Sequence, residues 1–453
     1  MNAPTDLLLP ATCATAPGSR LLQLRRASHL ARGESALQQL LRSSVSRIED
    51  RYTGHFKGFH LSSAFQPIFA LTHRRAVGYE ALLRVSDADG KPLSPLEVFA
   101  HAADGEETVQ LDRTSRVLHT HNFRSLAAND NWLFLNINPH VVVEGRLYGS
   151  FFAELLHSSG LQPSQVVVEI LENAILDEGL LAEAVQYYKE LGCLVAIDDF
   201  GAGHSNFDRI VRLAPNMVKL DRSFLQQARQ SSLARRMLPN LIALLHEAGC
   251  LVVLEGIEDE TEALLAIEAG ADFAQGYYFA RPAAADAQNF DSEAVFGILG
   301  QRSRAALSLE TQRREANLRE HIQAFRDAAN TFADGTVLRE AAASMTGNPH
   351  VVRCYVLDEH GVQVGSNVLS GPSVLTNDPR FRPLQETSGC DWSGRHYFRR
   401  ALGEPGVVQV TRPYLSITGA HMTTTLSMAI RRDGKLFVMC CDLNLPEALP
   451  AGT

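Results

Sequence analysis

Between about residues 60 and 290, short apolar runs recur along the chain, and each ends on a polar residue. The residues that end them are Glu80, Asn136, Glu169, Asp198, Asp199, Lys219, Glu255 and Gln275. Nearly continuous apolar strands are typical of a parallel sheet that is buried on both faces. Amphipathic segments separate the runs, at residues 107–128, 178–191, 228–248 and 259–269. Strand followed by helix, repeated this often, predicts the α/β class and a (β/α)8 TIM-like barrel.

The alternation stops after Pro282, which indicates that the barrel does not account for the whole chain. We expect an N-terminal extension at residues 1–55, partly helical or disordered, and the barrel at residues 56–292. A linker helix is predicted at residues 293–346. A smaller α+β domain is predicted at residues 347–453, because short strands and turn signals alternate there.

The predicted linker helix carries an apolar seam. Its residues are spaced by four and three: Leu318, Ile322, Phe325, Ala329 and Phe332. A seam with this spacing packs either on the helix's own domain or in a coiled coil between two chains. The sequence leaves both alternatives open, and we expect a homodimer.

The composition narrows the classes of partner. A net charge of -9 argues against binding to a nucleic-acid polymer, whose phosphates would be repelled. It does not exclude a small anionic nucleotide, because bound metal ions can reverse the local charge. The seven cysteines show no zinc-ligand spacing and predict a reducing, cytoplasmic location. No apolar run is long enough to span a membrane, and the stretch before Cys13 lacks the basic residues of a secretion signal.

The polar strand ends suggest a metal site. In a (β/α) barrel, such side chains converge on one mouth, where five carboxylates would repel one another unless cations bound there. Oxygen ligands without convergent His or Cys favour Mg²⁺ or Mn²⁺ over zinc. The adjacent Asp198 and Asp199 are suited to holding two ions, and Lys219 to orienting an attacking water. A single Glu at a strand end is usually a surface group, so the hypothesis rests on the whole series.

The ordered motifs closely resemble the EAL-domain phosphodiesterases over residues 60–285. They are Gln-Pro-Ile (66–68), Glu-Ala-Leu-Leu-Arg (80–84), Asn-Ile-Asn (136–138), Glu-Ile-Leu-Glu (169–172), Asp-Asp-Phe-Gly-Ala-Gly (198–203), Lys-Leu-Asp (219–221), Glu-Gly-Ile-Glu (255–258) and Gln-Gly-Tyr-Tyr-Phe (275–279). The resemblance implies hydrolysis of cyclic di-GMP to linear pGpG with Mg²⁺ or Mn²⁺. The alternative is a catalytically silent receptor that binds cyclic di-GMP and signals by changing conformation.

The resemblance also implies a role for each matching residue. One metal ion would be held by Glu80, Asn136, Glu169 and Asp198. A second would be held by Asp198, Asp199 and Glu255. Lys219 and Gln275 would position the water, and Glu258 would brace the loop after Asp199. Gln66 and Arg84 would contact the substrate, and the planar guanidinium of Arg84 suits a phosphate.

The chain departs from the family pattern in one loop, which reads Phe-Gly-Ala-Gly-His-Ser at residues 200–205. Family members usually have Thr at position 202 and an aromatic residue at 204, and Asn138 stands where serine is usual. No metal ligand is lost, so we expect activity.

The C-terminal domain resembles PAS-like, Cache-type sensors in the stretches 391–398, 412–414 and 442–444. The resemblance implies a pocket for a small, unidentified ligand that regulates the enzyme. Its candidate residues are Trp392, Arg395, Tyr397 and Tyr414. Arg395 and Tyr414 would hold an anionic or polar ligand, whereas Trp392 and Tyr397 are equally well explained as core.

Overall fold

The computed structural model describes residues 35–126, 130–137, 141, 151–171, 178–202, 207–288, 290–371, 384, 386–416 and 422–445. Two compact units divide the chain, residues 1–303 and residues 304–453. No described helix combines the length and the apolar character needed to cross a bilayer.

The strands of the first unit form one sheet. They are β1 (Val45–Ile48), β2 (Arg51–Phe56), β3 (Phe59–Ala70), β4 (Arg75–Ser86), β5 (Pro92–Leu93), β6 (Trp132–Asn136), β7 (Val166–Leu171), β8 (Leu194–Phe200), β9 (Met217–Leu220), β10 (Leu251–Leu254) and β11 (Phe273–Ala274). The described helices are α1 (Ala36–Ser43), α2 (Pro95–Phe99), α3 (Gly105–Phe123), α4 (Phe151–Ser159), α5 (Glu178–Leu191), α6 (Phe207–Leu213), α7 (Ser223–Gln230), α8 (Ser232–Glu247), α9 (Glu260–Ala269) and the start of α10 (Ser292–Ala333).

Eight of these strands close into a barrel, so the predicted (β/α)8 fold is confirmed. Their order is β3-β11-β10-β9-β8-β7-β6-β4, and β4 pairs back with β3. Strand β3 departs from the parallel arrangement that the apolar runs indicate, because it runs antiparallel to both β4 and β11. The reason is the short connection between β3 and β4, because only antiparallel strands can be joined by a tight turn.

The described part of the predicted N-terminal extension is ordered on the barrel. Leu37 and Leu40 of α1 are buried in the same hydrophobic core as the barrel strands. Strands β1 and β2 form a hairpin that continues the sheet at the edge of β3. The expected boundary at residue 55 therefore falls inside β2. Residues 1–34 lie outside the described residues.

The second unit is an antiparallel sheet with helices, which confirms an α+β domain. Its strands are β12 (Val351–Asp358), β13 (Gln363–Leu369), β14 (Gln409–Val410), β15 (Tyr414–Leu415), β16 (Met422–Arg432) and β17 (Lys435–Leu443). They follow the order β13-β12-β17-β16-β14, with β15 beside β16. The short helices are α11 (Leu338–Ala341), α12 (Ala343–Thr346) and α13 (His396–Gly403). In strand β13 the apolar positions are interrupted by Gly365, Ser366 and Asn367, so the sequence pattern there is weak.

The apolar seam of α10 packs on its own domain. Leu318, Phe325, Ala329 and Phe332 are buried in the core that covers one face of the second sheet. That contact accounts for the seam spacing without a second chain, so the homodimer stays a prediction without support from the seam.

Candidate active site

Eight of the site residues predicted for the barrel form one layer across it. Beneath them lies an apolar layer with one residue from each barrel strand: Ile68, Gly78, Phe134, Val167, Ala196, Met217, Val253 and Phe273. Side chains in a strand return to the same face every second residue. Two residues beyond the apolar layer, towards the mouth, lies what we call the site layer: Gln66, Glu80, Asn136, Glu169, Asp198, Lys219, Glu255 and Gln275. Alternation along eight strands therefore places these eight side chains together.

The sequence pattern suggested that each of these residues ends its strand, but some strands continue beyond the site layer. Strand β4 continues to Ser86, six residues past Glu80, because β3 pairs with it along this whole stretch. Arg84 lies on that extension, four residues beyond Glu80, and is exposed. An even spacing puts Arg84 on the same strand face as Glu80.

A β-bulge explains how two consecutive aspartates both serve the site. Adjacent side chains in a regular strand point to opposite faces, so Asp198 and Asp199 would normally diverge. Asp199 has a φ of 55°, and the register between β8 and β9 shifts between Ile197 and Phe200. Aspartate tolerates this left-handed conformation better than most residues. Carboxylate oxygens of Asp198, Asp199 and Glu255 consequently lie within 4.8 Å of one another.

Lys219 lies at the centre of the site layer. Its Nζ is 2.6 Å from Glu169 Oε1, 2.5 Å from Glu255 Oε1 and 3.1 Å from Asp198 Oδ1. Oε2 of Glu80 lies 3.5 Å away. The Lys219 side chain is 1% exposed, so water screens these interactions little.

The charges in the site shift one another's pKa values. Burial raises the pKa of Glu169 well above its usual range, against the opposing charge of Lys219. Burial likewise raises the pKa of Glu255 to about 8. Burial also acts on Glu80, but Lys219 and two amide hydrogen bonds outweigh it and lower the pKa of this carboxyl group. For Lys219, burial would lower the pKa, yet the surrounding carboxylates hold it well above its usual range.

These residues fit a divalent cation. Four carboxylates contact one ammonium group and a fifth, Asp199, lies beside them, so the cluster carries more negative charge than Lys219 can balance. Oε2 of Glu169 is buried and has no hydrogen-bond partner among the described residues. An unpaired buried carboxylate oxygen is costly unless a cation or donor reaches it. Donors that are all oxygen suit hard cations such as Mg²⁺, Mn²⁺ or Ca²⁺.

Amide side chains hydrogen-bond to Glu80 at the barrel mouth. Gln275 Nε2 donates to Glu80 Oε2 at 2.7 Å and approaches Gln66 Oε1 at 3.3 Å. Asn136 Nδ2 donates to Glu80 Oε1 at 2.9 Å. Both oxygens of Glu80 therefore accept a hydrogen bond, and the amide oxygen of Asn136 is left to act as a ligand.

A cavity of about 240 Å³ opens over this side of the mouth. Its lining includes Gln66, Glu80, Glu255 and Gln275. It also includes two residues that the sequence analysis missed, Arg222 and Tyr277. Arg222 directly follows the Lys-Leu-Asp motif, and that adjacency was the available signal.

Glu258 lies at the edge of the cavity and not in the site layer. Its exposed carboxylate is 3.7 Å from Nη1 of Arg222, and its backbone N–H donates to Glu262 at 2.8 Å. The predicted brace to the loop after Asp199 stays a prediction, because residues 203–206 lie outside the described residues. The departures at positions 138 and 204 lie outside them as well.

The four predicted sensor residues come together on one face of the second sheet. Trp392 and Tyr397 are buried in a core with Tyr355, against which Tyr414 packs. The rings of Tyr397 and Tyr414 stack with centroids 6.2 Å apart. The guanidinium of Arg395 lies 5.9 Å from the Trp392 ring centroid.

The fold and site define a (β/α)8 barrel whose mouth is built to bind divalent cations. The EAL domain model matches residues 50–282, and the chain belongs to this family. The cyclic di-GMP phosphodiesterase RocR of Pseudomonas aeruginosa is 30% identical over 258 residues, which cover 56% of this chain and 64% of RocR. This chain thus spans slightly less than two thirds of that relative.

A second relative matches over more of the chain. The uncharacterized EAL-domain containing protein YkuI of Bacillus subtilis is 26% identical over 353 residues, which cover 74% of this chain and 82% of YkuI. The crystal structure of YkuI in complex with c-di-GMP and calcium superposes with a TM-score of 0.69 at 22% identity. It covers 85% of this chain and 96% of that chain, so the likeness in fold reaches beyond the barrel.

Proposed function

We propose that this protein is a metal-dependent phosphodiesterase that hydrolyses cyclic di-GMP to linear pGpG. The observation that carries the proposal is the site layer, in which four carboxylates contact one buried lysine at the mouth of an EAL-family barrel, with Asp199 beside them. The name of RocR and the ligand of YkuI support this choice of substrate.

The site residues divide into two sets of metal ligands. Glu80, Asn136, Glu169 and Asp198 would hold one ion, and Asp198, Asp199 and Glu255 the other. We propose Mg²⁺ or Mn²⁺. When bound, such ions lower the pKa of a water and balance the charge on the phosphoryl oxygens. The second set is the better supported, because its oxygens already lie within 4.8 Å of one another.

Lys219 and Gln275 would act on the attacking water and the reacting phosphate. The surrounding carboxylates hold the pKa of Lys219 well above its usual range. Its ammonium group therefore stays charged and can donate hydrogen bonds. A fixed donor in a site closed to solvent stabilises negative charge as it develops. Gln275 keeps Glu80 in place through the 2.7 Å hydrogen bond. Loss of either side chain would therefore disturb the metal site that includes Glu80.

The substrate would lie along the cavity. Gln66 lines it, and Arg84 lies beyond Glu80 on the extension of β4. To these we add Arg222, whose guanidinium suits a substrate phosphate, and Tyr277, whose ring offers a surface for a guanine base.

The test is to incubate the purified chain with cyclic di-GMP and either Mg²⁺ or Mn²⁺, and to follow pGpG by chromatography. We expect product with at least one metal and none with a chelator. Glu80→Gln should abolish turnover while leaving the fold intact, whereas Glu106→Gln, an exposed carboxylate on α3, should not. Binding of cyclic di-GMP without product under both metals would contradict the enzyme and support the silent receptor.

The second unit would regulate the enzyme by binding a small ligand near Trp392, Arg395, Tyr397 and Tyr414. Turnover of the full chain, compared with a chain cut after residue 303, tests this regulation.

We also propose a reducing, cytoplasmic location, because six cysteines in the described part of the chain are free thiols. Sedimentation velocity tests the predicted homodimer.

A further inference from the structure

Two histidines face each other on the hairpin formed by β2 and β3, outside the site layer. His55 and His60 are register partners on these antiparallel strands. Lys57 and Gly58, which form the turn, have positive φ angles of 46° and 85°, as a two-residue hairpin turn of this kind requires. The turn type and loop length fix the register of a hairpin. The backbone therefore holds the two histidines opposite each other.

The pattern of backbone hydrogen bonds brings the two side chains close together. The N–H of His55 donates to the carbonyl oxygen of Ser44 at 2.9 Å, so it points away from β3. In an antiparallel sheet, opposite residues that share no backbone hydrogen bonds have the shorter Cα separation, and their side chains are closer. The imidazole centroids of His55 and His60 are accordingly 4.7 Å apart, with an interplanar angle of 73°.

Both imidazole rings are accessible from solvent. His55 and His60 are exposed, and no described residue forms a hydrogen bond or an ion pair with either ring. His60 also pairs with Ser86 of β4, so it lies within a three-stranded surface and not at a strand edge. A neutral imidazole has one nitrogen with a free lone pair. The hairpin thus presents two such nitrogens side by side.

We propose that His55 and His60 bind one divalent transition-metal ion, such as Ni²⁺, Cu²⁺ or Zn²⁺, with water as the remaining ligands. Two nitrogens that share an ion at about 2.0–2.1 Å lie at most about 4.2 Å apart. Rings with centroids 4.7 Å apart can meet this requirement. Imidazole favours these ions, whereas the oxygen ligands of the site layer favour Mg²⁺ or Mn²⁺. The two sites therefore differ in metal preference.

The proposed site lies on the same strand face as the site layer but far from it. His60 comes six residues before Gln66 on β3, and an even spacing places both side chains on one face. At about 3.4 Å per residue, the two are roughly 20 Å apart along the strand. The ion is therefore separate from the proposed catalytic ions. Because it links β2 to β3, it stabilises the folded hairpin by binding.

The test titrates Ni²⁺ into the full, untagged chain by isothermal titration calorimetry in excess Mg²⁺. The excess Mg²⁺ competes for the oxygen ligands of the site layer, and histidine variants assign the binding that persists. Thermal unfolding with and without Ni²⁺ gives a second readout, because an ion bound by the folded chain raises the midpoint. Neither measurement involves cyclic di-GMP or turnover, so a failure here would leave the phosphodiesterase proposal unaffected.

We expect one Ni²⁺ to bind, and His55→Gln and His60→Gln each to weaken it at least about tenfold and to reduce the midpoint shift. The double variant should cost little more than either single one, because one remaining imidazole cannot chelate the ion. His73→Gln, an exposed histidine in the turn after β3, is the matched control and should have no effect. Absence of Ni²⁺ binding, unchanged affinity in either single variant, or an equal loss in His73→Gln would overturn the proposal.

Discussion

The ammonium group of Lys219 lies 2.6 Å from Oε1 of Glu169, and both side chains are buried from solvent. Neither charge has access to bulk water, so each depends on the other in the absence of metal. The same ammonium group also contacts Glu255 and Asp198. Lys219 is therefore both a candidate catalytic group and the internal cation that makes this acidic cluster compatible with a folded barrel.

Lys219→Met should consequently destabilise the metal-free protein as well as abolish turnover. Removing one partner of a buried ion pair costs about 3–5 kcal/mol, because the remaining charge is left uncompensated. Mn²⁺ should restore part of this loss by replacing the missing positive charge. Urea denaturation in chelator and in Mn²⁺ measures both effects.

Lys57→Met is the matched control, because Lys57 pairs with Glu107 on the surface and its side chain is 40% exposed. An exposed pair contributes at most about 1 kcal/mol. Equal denaturation midpoints for Lys219→Met and the wild type in chelator would show that the buried charges do not depend on this lysine.

The left-handed backbone at Asp199 allows a substitution that changes metal binding without changing the backbone. Asn adopts the left-handed conformation as readily as Asp, so Asp199→Asn should keep the backbone and remove one charged ligand. We expect metal affinity to fall at least about tenfold with little change in stability. Calorimetric titration with Mn²⁺ checks this, with Asp208→Asn, on the exposed face of α6, as the control. Unchanged affinity in Asp199→Asn would remove this residue from the ligand set.

The sequence predicts the site layer because alternation is a local rule. Glu169 comes two residues after Val167, and Lys219 two residues after Met217, so a polar residue ending an apolar run identifies the inward face at the mouth. The same rule operates in every barrel strand. This is why the barrel and seven of the eight side chains of the site layer could be predicted together, without knowledge of how distant segments pair. The eighth, Gln66 on the antiparallel β3, was indicated only by the motif resemblance.

Features that depend on distant pairing could not be predicted in this way. The direction of β3 follows from its hairpin with β4, and the left-handed Asp199 follows from a register shift against β9. Arg353 and Asp442 are 89 residues apart, and each alone looks like an ordinary polar residue beside a strand. Only the folded sheet shows that they form a buried ion pair.

Gly276, next to Gln275, allows the loop 255–258 to approach the barrel mouth. A Cβ at this position would lie 2.1 Å from the carbonyl oxygen of Ile257, which is rigid backbone. Gly276→Ala should therefore displace the loop, destabilise the protein by about 1–3 kcal/mol and reduce turnover. Gly297→Ala on α10 meets no atom within 4 Å and should stabilise by about 0.5–1 kcal/mol. Thermal unfolding and initial rates compare the two, and wild-type behaviour in Gly276→Ala would contradict the packing argument.

His119 makes the free energy of unfolding depend on pH in the acid range. Its ring is buried on α3, with Nδ1 2.8 Å from the hydroxyl of Ser63. Burial, together with the positive charge of Arg84, lowers the pKa of His119 to about 3. The unfolded chain takes up a proton near the ordinary histidine pKa of about 6.5, whereas the folded protein does not.

Between pH 6.5 and 3 the unfolded state therefore binds the extra proton, and the free energy of unfolding decreases as the pH falls through this window. One such group contributes a slope of up to about 1.4 kcal/mol per pH unit, and nothing above the window. Urea titrations at several pH values measure the slope. His119→Gln should make it shallower, because glutamine does not titrate, whereas His73→Gln, which is exposed on the turn after β3, should leave it unchanged. A slope that survives in His119→Gln would assign the acid sensitivity to other groups.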